Sequence, residues 1–303
     1  GIADDTANDS SPQLTLGGVV QKRKWGLGAT LSAVEYDGVT MTGAELDQVV
    51  LTAQVHLARS FFSDQLVMGV GFKATTYTVS EQPDDAAMIS TTLFTVSQTT
   101  VESGVVWMPR NRNLRLGSSF SLPATGETIN FGDDCMADIP CRGIILPATF
   151  EVPWSMAFGV GLRRAPNRWN KKVEGRFKDE RELIVALDLR LTGEVENGHG
   201  ISQISQNRLQ PSGDKVVASV RAGVQFEWIP GWLRLRGGSY YEPSRFKDAN
   251  GDRVSGRPHI TGGIDVRFWE FTVWSRTYRL RASGTLDYAK RYLNGGASIG
   301  FWH

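Results

Sequence analysis

Gly296–Gly300 reads Gly-Ala-Ser-Ile-Gly and fits the G-x-S-x-G spacing of a nucleophile elbow. That chemistry needs a sharp strand-to-helix turn that exposes the serine, and a later histidine as base. Here the pentapeptide lies in a strand-like stretch with no helical pattern after it. The four histidines, His56, His199, His259 and His303, show no H-E-x-x-H spacing. His259 reads as an ordinary residue at the start of a strand. Asp248, Asn250 and Asp252 set oxygen donors at alternate positions, as calcium requires. Arg253 stands where that loop needs glycine, and no Glu occupies its twelfth position, so an Asn-Gly turn is the simpler reading. Cys135 and Cys141 sit six residues apart in a polar loop with no histidine nearby. They suit a local disulfide, or two free thiols, better than a zinc site. The chain is expected to be no enzyme and to use no metal and no cofactor.

The elements that carry these residues alternate apolar and polar almost throughout, and helical periodicity is nearly absent. Thirteen strands are expected: Gln13–Gln21, Trp25–Tyr36, Gln48–Phe61, Leu66–Ser80, Ser90–Met108, Leu114–Leu122, Ala148–Arg163, Glu182–Val195, Lys215–Trp228, Trp232–Tyr241, Pro258–Phe268, Tyr278–Tyr288 and Gly296–Trp302. Many exceed the usual length of about 5–6 residues in soluble sheets and match the roughly 9–11 residues of a tilted membrane strand. Mean hydropathy is only -0.23, and the lack of a run of about 18 apolar residues excludes a transmembrane helix but not strands that average to neutral. Net charge is +1, which gives no case for nucleic acid.

Connections alternate in length. The short ones, such as Lys22–Lys24 and Pro109–Asn113, alternate with long polar ones, as in outer-membrane barrels with periplasmic turns and extracellular loops. Eight of nine tryptophans fall near the short-turn end, namely Trp25, Trp107, Trp169, Trp228, Trp232, Trp269, Trp274 and Trp302. Trp25, Trp107, Trp228, Trp232 and Trp302 are the expected membrane-interface aromatics.

The stretch Val216–Pro243 shows the two faces most clearly. Val220, Val224 and Phe226 share the face expected to meet lipid, and Arg221, Gln225 and Glu227 share the other. Opposing Glu227 with Arg234 also opposes Phe226 with Leu235 and Gln225 with Arg236, which keeps both faces consistent across the turn. The expected lumen-lining residues are His56, Asp188, Arg190, Arg221, Glu227, Arg234, Arg236, Asp265 and Arg267. Most read as ion pairs filling the interior, and some as a guide for a passing ligand. Pro153 interrupts its strand and is a candidate kink for a lateral opening.

Single-chain bacterial barrels usually have an even number of strands. Counting back from a last strand that ends at the periplasm leaves thirteen one short, so a further strand before Gly1 is expected.

The stretches "VESGVVWMPRNRNLRLGSSFSLP", "LPATFEVPWSMAFGVGLRRAPNRW", "VRAGVQFEWIPGWLRLRGGSYYEPS" and "RPHITGGIDVRF" resemble the outer-membrane FadL family. That family transports long-chain fatty acids and aromatic hydrocarbons. The resemblance covers most of Val101–Trp302. It implies an antiparallel transmembrane β-barrel of about fourteen strands, thirteen of them here. The family's N-terminal hatch, with its Asn-Pro-Ala motif, has no counterpart in these residues.

One domain, residues 1–303, is therefore expected: an integral protein of the bacterial outer membrane, with outer-membrane lipid and a hydrophobic small molecule as partners. Its expected role is passive transport or binding of such molecules. The alternative is a non-transport barrel that anchors a larger complex. The basic connection at about 165–181, with eight Lys or Arg over Arg163–Arg181, reads as a solvated periplasmic hairpin or as a docking surface for a periplasmic protein.

Overall fold

A computed structural model of the chain describes residues 12–39, 43–81, 91–129, 140–141, 144–145, 149–170, 179–196, 198, 212–245, 254–273, 276–290 and 292–302. Seventeen strands follow in chain order. They are β1 (Gln13–Lys22), β2 (Trp25–Val39), β3 (Glu45–Phe61), β4 (Leu66–Glu81), β5 (Thr91–Trp107), β6 (Leu114–Ser121), β7 (Ala124–Ile129), β8 (Pro140–Cys141) and β9 (Ile144–Ile145). Then come β10 (Thr149–Val152), β11 (Ser155–Arg164), β12 (Leu183–Thr192), β13 (Val217–Ile229), β14 (Leu233–Glu242), β15 (Arg257–Val273), β16 (Arg276–Ala289) and β17 (Tyr292–Trp302).

Thirteen strands form one antiparallel wall in the order β1 to β6, then β11 to β17. Seventeen residues at about 3.3 Å each give β3, β5 and β15 a length of roughly 56 Å, enough to cross a bilayer at a tilt. The wall's outward face is an unbroken apolar surface: Leu27, Leu31, Val55, Leu57, Val70, Phe72, Leu187, Val220, Val224 and Ile264 are all exposed. In water such a patch would aggregate; against lipid it is the ordinary wall of a barrel. A hydrogen-bonded ladder is what lets a backbone lie in lipid at all.

β1 and β17 make no ladder with each other. Both run toward the short-turn end, because β1 leads into the tight Arg23–Lys24 turn and β17 descends from the β16–β17 turn. Direct pairing between them would be parallel, whereas one strand running the other way fits both edges.

The expected strands recur, but β17 starts at Tyr292, before the expected Gly296, β8 and β9 pair within the expected Pro123–Pro147 loop, and three further differences stand out. β15 continues past Phe268 to Val273, through a bulge between Arg267 and Trp269. The expected strand Ala148–Arg163 divides into β10 and β11. The stretch after Pro123, expected as loop, contains β7, which pairs β10. The last two share one cause. Pro123 and Pro153 fall in the same gap, between the Ser121–Ser155 pair and the Ala124–Val152 pair, and neither proline has an N–H to give a ladder. The β7–β10 hairpin continues the β6–β11 hairpin in the same register and stays in the sheet, with β7 laddered to β5 after a one-residue shift. Gly126 permits that approach, since a Cβ there would lie 2.8 Å from Val96 and 3.1 Å from the Ser97 carbonyl.

The hairpin closes a small apolar cluster of Leu46, Tyr77, Val79, Leu93, Phe94 and Val96, with Phe150 of β10 packed on it. Phe94 and Phe150 stack at 6.5 Å, Tyr77 meets Phe94 edge-on at 5.5 Å, and the Tyr77 hydroxyl donates to Gln48 at 2.6 Å.

Candidate functional site

Seven strands, β3 to β6 and β11 to β13, present one face to a cavity of about 860 Å³. Convergence of so many strands on one space marks this as the inner face. Small residues form much of its lining, including Gly104, Ser119, Ser121, Ala157 and Gly159. His56, Glu102, Arg115, Asp188, Arg190 and Arg221 set charge and polarity around them.

His56, Gly71 and Glu102 occupy one row across β3, β4 and β5. The glycine leaves room for the imidazole to cross β4, and His56 Nε2 reaches Glu102 Oε2 at 3.0 Å. Asp188 and Arg221 stand opposite each other on β12 and β13, yet among the described residues Asp188, Arg190 and Arg221 form no ion pair. The Arg221 guanidinium lies 5.2 Å over the Tyr240 ring.

Toward the short-turn end Glu227 and Asp265 gather the arginines of the inner face. Glu227, 2% exposed, accepts from Arg234 Nε at 2.8 Å and lies 3.2 Å from Arg267 Nη1. Arg236 lies 2.6 Å from Asp265, with Arg281 at 3.5 Å. The register of this hairpin is the expected one, Glu227 with Arg234, Gln225 with Arg236 and Phe226 with Leu235.

In the described parts of the β11–β12 connection Arg164, Arg168 and Arg181 are exposed, while other side chains turn toward the strands. Trp169, grouped by sequence with the other tryptophans of the short-turn end, lies over the inner face of Gly161, with the Arg115 guanidinium 4.0 Å from its ring. Asn170 donates to the carbonyls of Pro109 and Leu114 at 3.0 and 2.9 Å. Arg163, almost wholly buried, pairs with Glu180 and, at 2.6 Å, with Glu182. Burial alone would raise the Glu180 carboxyl, but bonds from Arg163 and Asn167 outweigh it and hold the group at about 2.

At the opposite end His259 is buried at 1% exposure, not an ordinary strand residue. Its ring stacks on Tyr240 at 4.2 Å and meets Tyr292 at 5.1 Å, while Nδ1 reaches Asp287 at 2.8 Å and Nε2 reaches Glu242 at 3.1 Å. Tyr240 and His259 stand opposite each other across β14 and β15. The carboxylates of Glu35, Asp37 and Asp47 lie within 4.8 Å of one another at the same end. Such exposed acids are common without an ion.

The nine expected lumen residues thus divide. His56, Asp188, Arg190 and Arg221 line the cavity, whereas Glu227, Arg234, Arg236, Asp265 and Arg267 form the ionic network below it. Trp25, Trp107, Trp228 and Trp232 are exposed. The side chain of Trp302 lies outside the described residues, as do Trp274, Cys135, the Cys141 side chain and the Asp248–Asp252 turn.

An all-antiparallel wall with an apolar outer face and a charged inner one defines a transmembrane β-barrel protein. Its fold is that of FadL-type outer-membrane barrels. A FadL homologue of Pseudomonas aeruginosa matches with a TM-score of 0.53 at 13% identity, over 95% of this chain and 75% of that one. The monoaromatic hydrocarbon channel CymD matches with a TM-score of 0.52 at 12% identity, over 96% and 81%. The toluene transporter TodX of P. putida matches with a TM-score of 0.50 at 14% identity, over 91% and 75%. No protein-family model and no curated protein matches the sequence.

Proposed function

We propose that this protein sits in the bacterial outer membrane and passes hydrophobic small molecules passively. The observation that carries this reading is the break at Pro153 beside the cavity. Ser121, Ser155 and Ala157 line the cavity directly under the point where β10 leaves β12 without a ladder partner. A molecule held in the cavity leaves through the wall there by displacing the Trp154 indole, which covers Gly193. The Gly193 N–H donates to the Trp154 carbonyl at 2.8 Å and the Glu196 N–H to the Glu151 carboxylate at 3.2 Å, two isolated contacts where elsewhere a ladder stands. Similar folds named as hydrocarbon channels support the same permeant class.

No binding energy source beyond the permeant's own gradient is required, and no residue is assigned a catalytic part. Uptake of a radiolabelled monoaromatic hydrocarbon by cells lacking and producing the protein tests the proposal. Faster uptake with the protein is expected, and equal rates would overturn it.

A further inference from the structure

The short-turn end carries cations on the outer wall as well as inside. Lys22, Trp25 and Arg59 form one cross-strand row on β1, β2 and β3, and cross-strand partners share a face. That face is the outer one, because Leu27 and Leu57 lie in the next row toward the midplane and are exposed. Arg23 and Lys24 complete the turn between β1 and β2, and like Lys22 and Arg59 they are exposed. Among the described residues none of these cations meets a carboxylate. Asp64, the acid of the neighbouring β3–β4 turn, accepts from Ser60 at 2.6 Å instead.

Arg59 does not project freely. Its guanidinium lies 4.9 Å from the Trp25 ring and 5.2 Å from the Phe61 ring, held against the barrel wall. A soluble partner would meet the cations of the turns. A guanidinium on the lipid-facing wall, beside an interfacial tryptophan, meets what the membrane supplies at headgroup depth. Lys22 and Arg59 flank the indole with their backbones about 10 Å apart, two strand spacings, so both side chains reach a single phosphate in front of it.

The rows above complete a footprint. Val20, Leu27 and Leu57 make the next row, two residues or roughly 7 Å toward the midplane. Beyond it Gly18 pairs with Ala29, and a Cβ at Gly18 would meet nothing within 4 Å, so the wall is low there. A cationic row, an apolar row and a shallow groove thus follow one another along the strands, in the order of a phospholipid's phosphate and acyl chains.

We propose that Lys22 and Arg59, with Trp25 between them, bind the phosphodiester of an anionic phospholipid in the leaflet at the short-turn end. Arg23 and Lys24 add positive charge at the turn, which favours a headgroup without a cation of its own. The site rests on the membrane location proposed above and not on transport. It needs neither the cavity nor a permeant, so failure of hydrocarbon uptake would leave it standing.

Titration of the whole protein in neutral detergent micelles with phosphatidylglycerol, read by native mass spectrometry, tests it. The wild type should take up phosphatidylglycerol at a concentration where phosphatidylcholine leaves it bare. Lys22→Gln and Arg59→Gln should each weaken that adduct about fivefold, the worth of one basic residue at an anionic membrane surface. Arg110→Gln/Arg112→Gln, on the β5–β6 turn, should weaken it less, and inorganic phosphate should not displace the lipid. The comparison of the two lipids needs no variant, so it decides the matter even if a variant fails to assemble. A wild type without preference for phosphatidylglycerol would overturn the proposal and leave these cations to a soluble partner. So would an equal loss in Arg110→Gln/Arg112→Gln, or displacement by inorganic phosphate at the lipid's own concentration.

Discussion

His56 and Glu102 are joined at 3.0 Å across a strand that separates them, because Gly71 stands between them in the same row. A Cβ at position 71 would lie 2.7 Å from the Val55 carbonyl and would collide with the imidazole. Gly71→Ala should therefore displace His56 from Glu102 and cost about 1–3 kcal/mol, the usual penalty for overpacking. Urea unfolding in vesicles measures it. A variant as stable as wild type would show that the imidazole has room elsewhere.

Glu227 is the most heavily shared carboxylate of the short-turn end. It serves Arg234 and Arg267 and also accepts from the Gly231 N–H at 3.0 Å, fixing the turn where Gly231 has φ +79°. Glu227→Gln should cost about 2–3 kcal/mol, the worth of a hydrogen bond to a charged group. Adding Arg234→Gln to that variant should cost less than it does in the wild type, because the partner is already gone. A double-mutant cycle without coupling would contradict the pairing.

Glu180 lies outside the strands, and its carboxyl is held at about 2 against roughly 4.3 for an unfolded glutamate. A depressed folded value contributes stability above the unfolded one and loses it as pH falls through the folded one. Wild type should thus lose thermal stability relative to Glu180→Gln between about pH 4 and pH 2, and the gap should be constant above pH 5. Melting curves of both proteins across that range provide the check. A gap that widens on acidification would refute the assignment.

The outward face makes a prediction of its own. Val224 is exposed on the lipid side, three residues from the inward Arg221. Val224→Arg should destabilise the inserted barrel by about 2–4 kcal/mol, as for arginine near a bilayer midplane. Refolding into lipid vesicles against urea measures the difference. A neutral result would mean that the two faces are exchanged.

Much of this fold is written locally. Alternation fixes which side each residue takes, and the short Ile229–Trp232 turn fixes the pairing of Glu227 with Arg234, so both read directly from sequence. What did not read was set by contacts distant in the chain. Pro153 marks a kink in the sequence, but only the ladders show that the pairing with β6 and β7 continues across it while the pairing with β12 stops. Trp169 shares composition and position with the interfacial tryptophans, and only the Arg115 and Gly161 surfaces draw it inward. The basic connection was judged by its eight cations, whereas its inward grip comes from Asp179, Glu180 and Glu182, minority charges whose partners lie as far as 100 residues away. His259 gave no pattern at all, since its burial comes from four strands meeting at one rim.

The central claim is that hydrophobic molecules pass through the cavity beside the break at Pro153. Ala157 lines that cavity next to the break, and Ala157→Trp would fill the space without touching the outward face. Uptake of a labelled monoaromatic hydrocarbon should be compared in cells producing wild type, Ala157→Trp or neither, at matched levels of folded barrel. The account predicts that wild type accelerates uptake and that Ala157→Trp returns it to the rate of cells without the protein. Uptake by Ala157→Trp equal to wild type would contradict it.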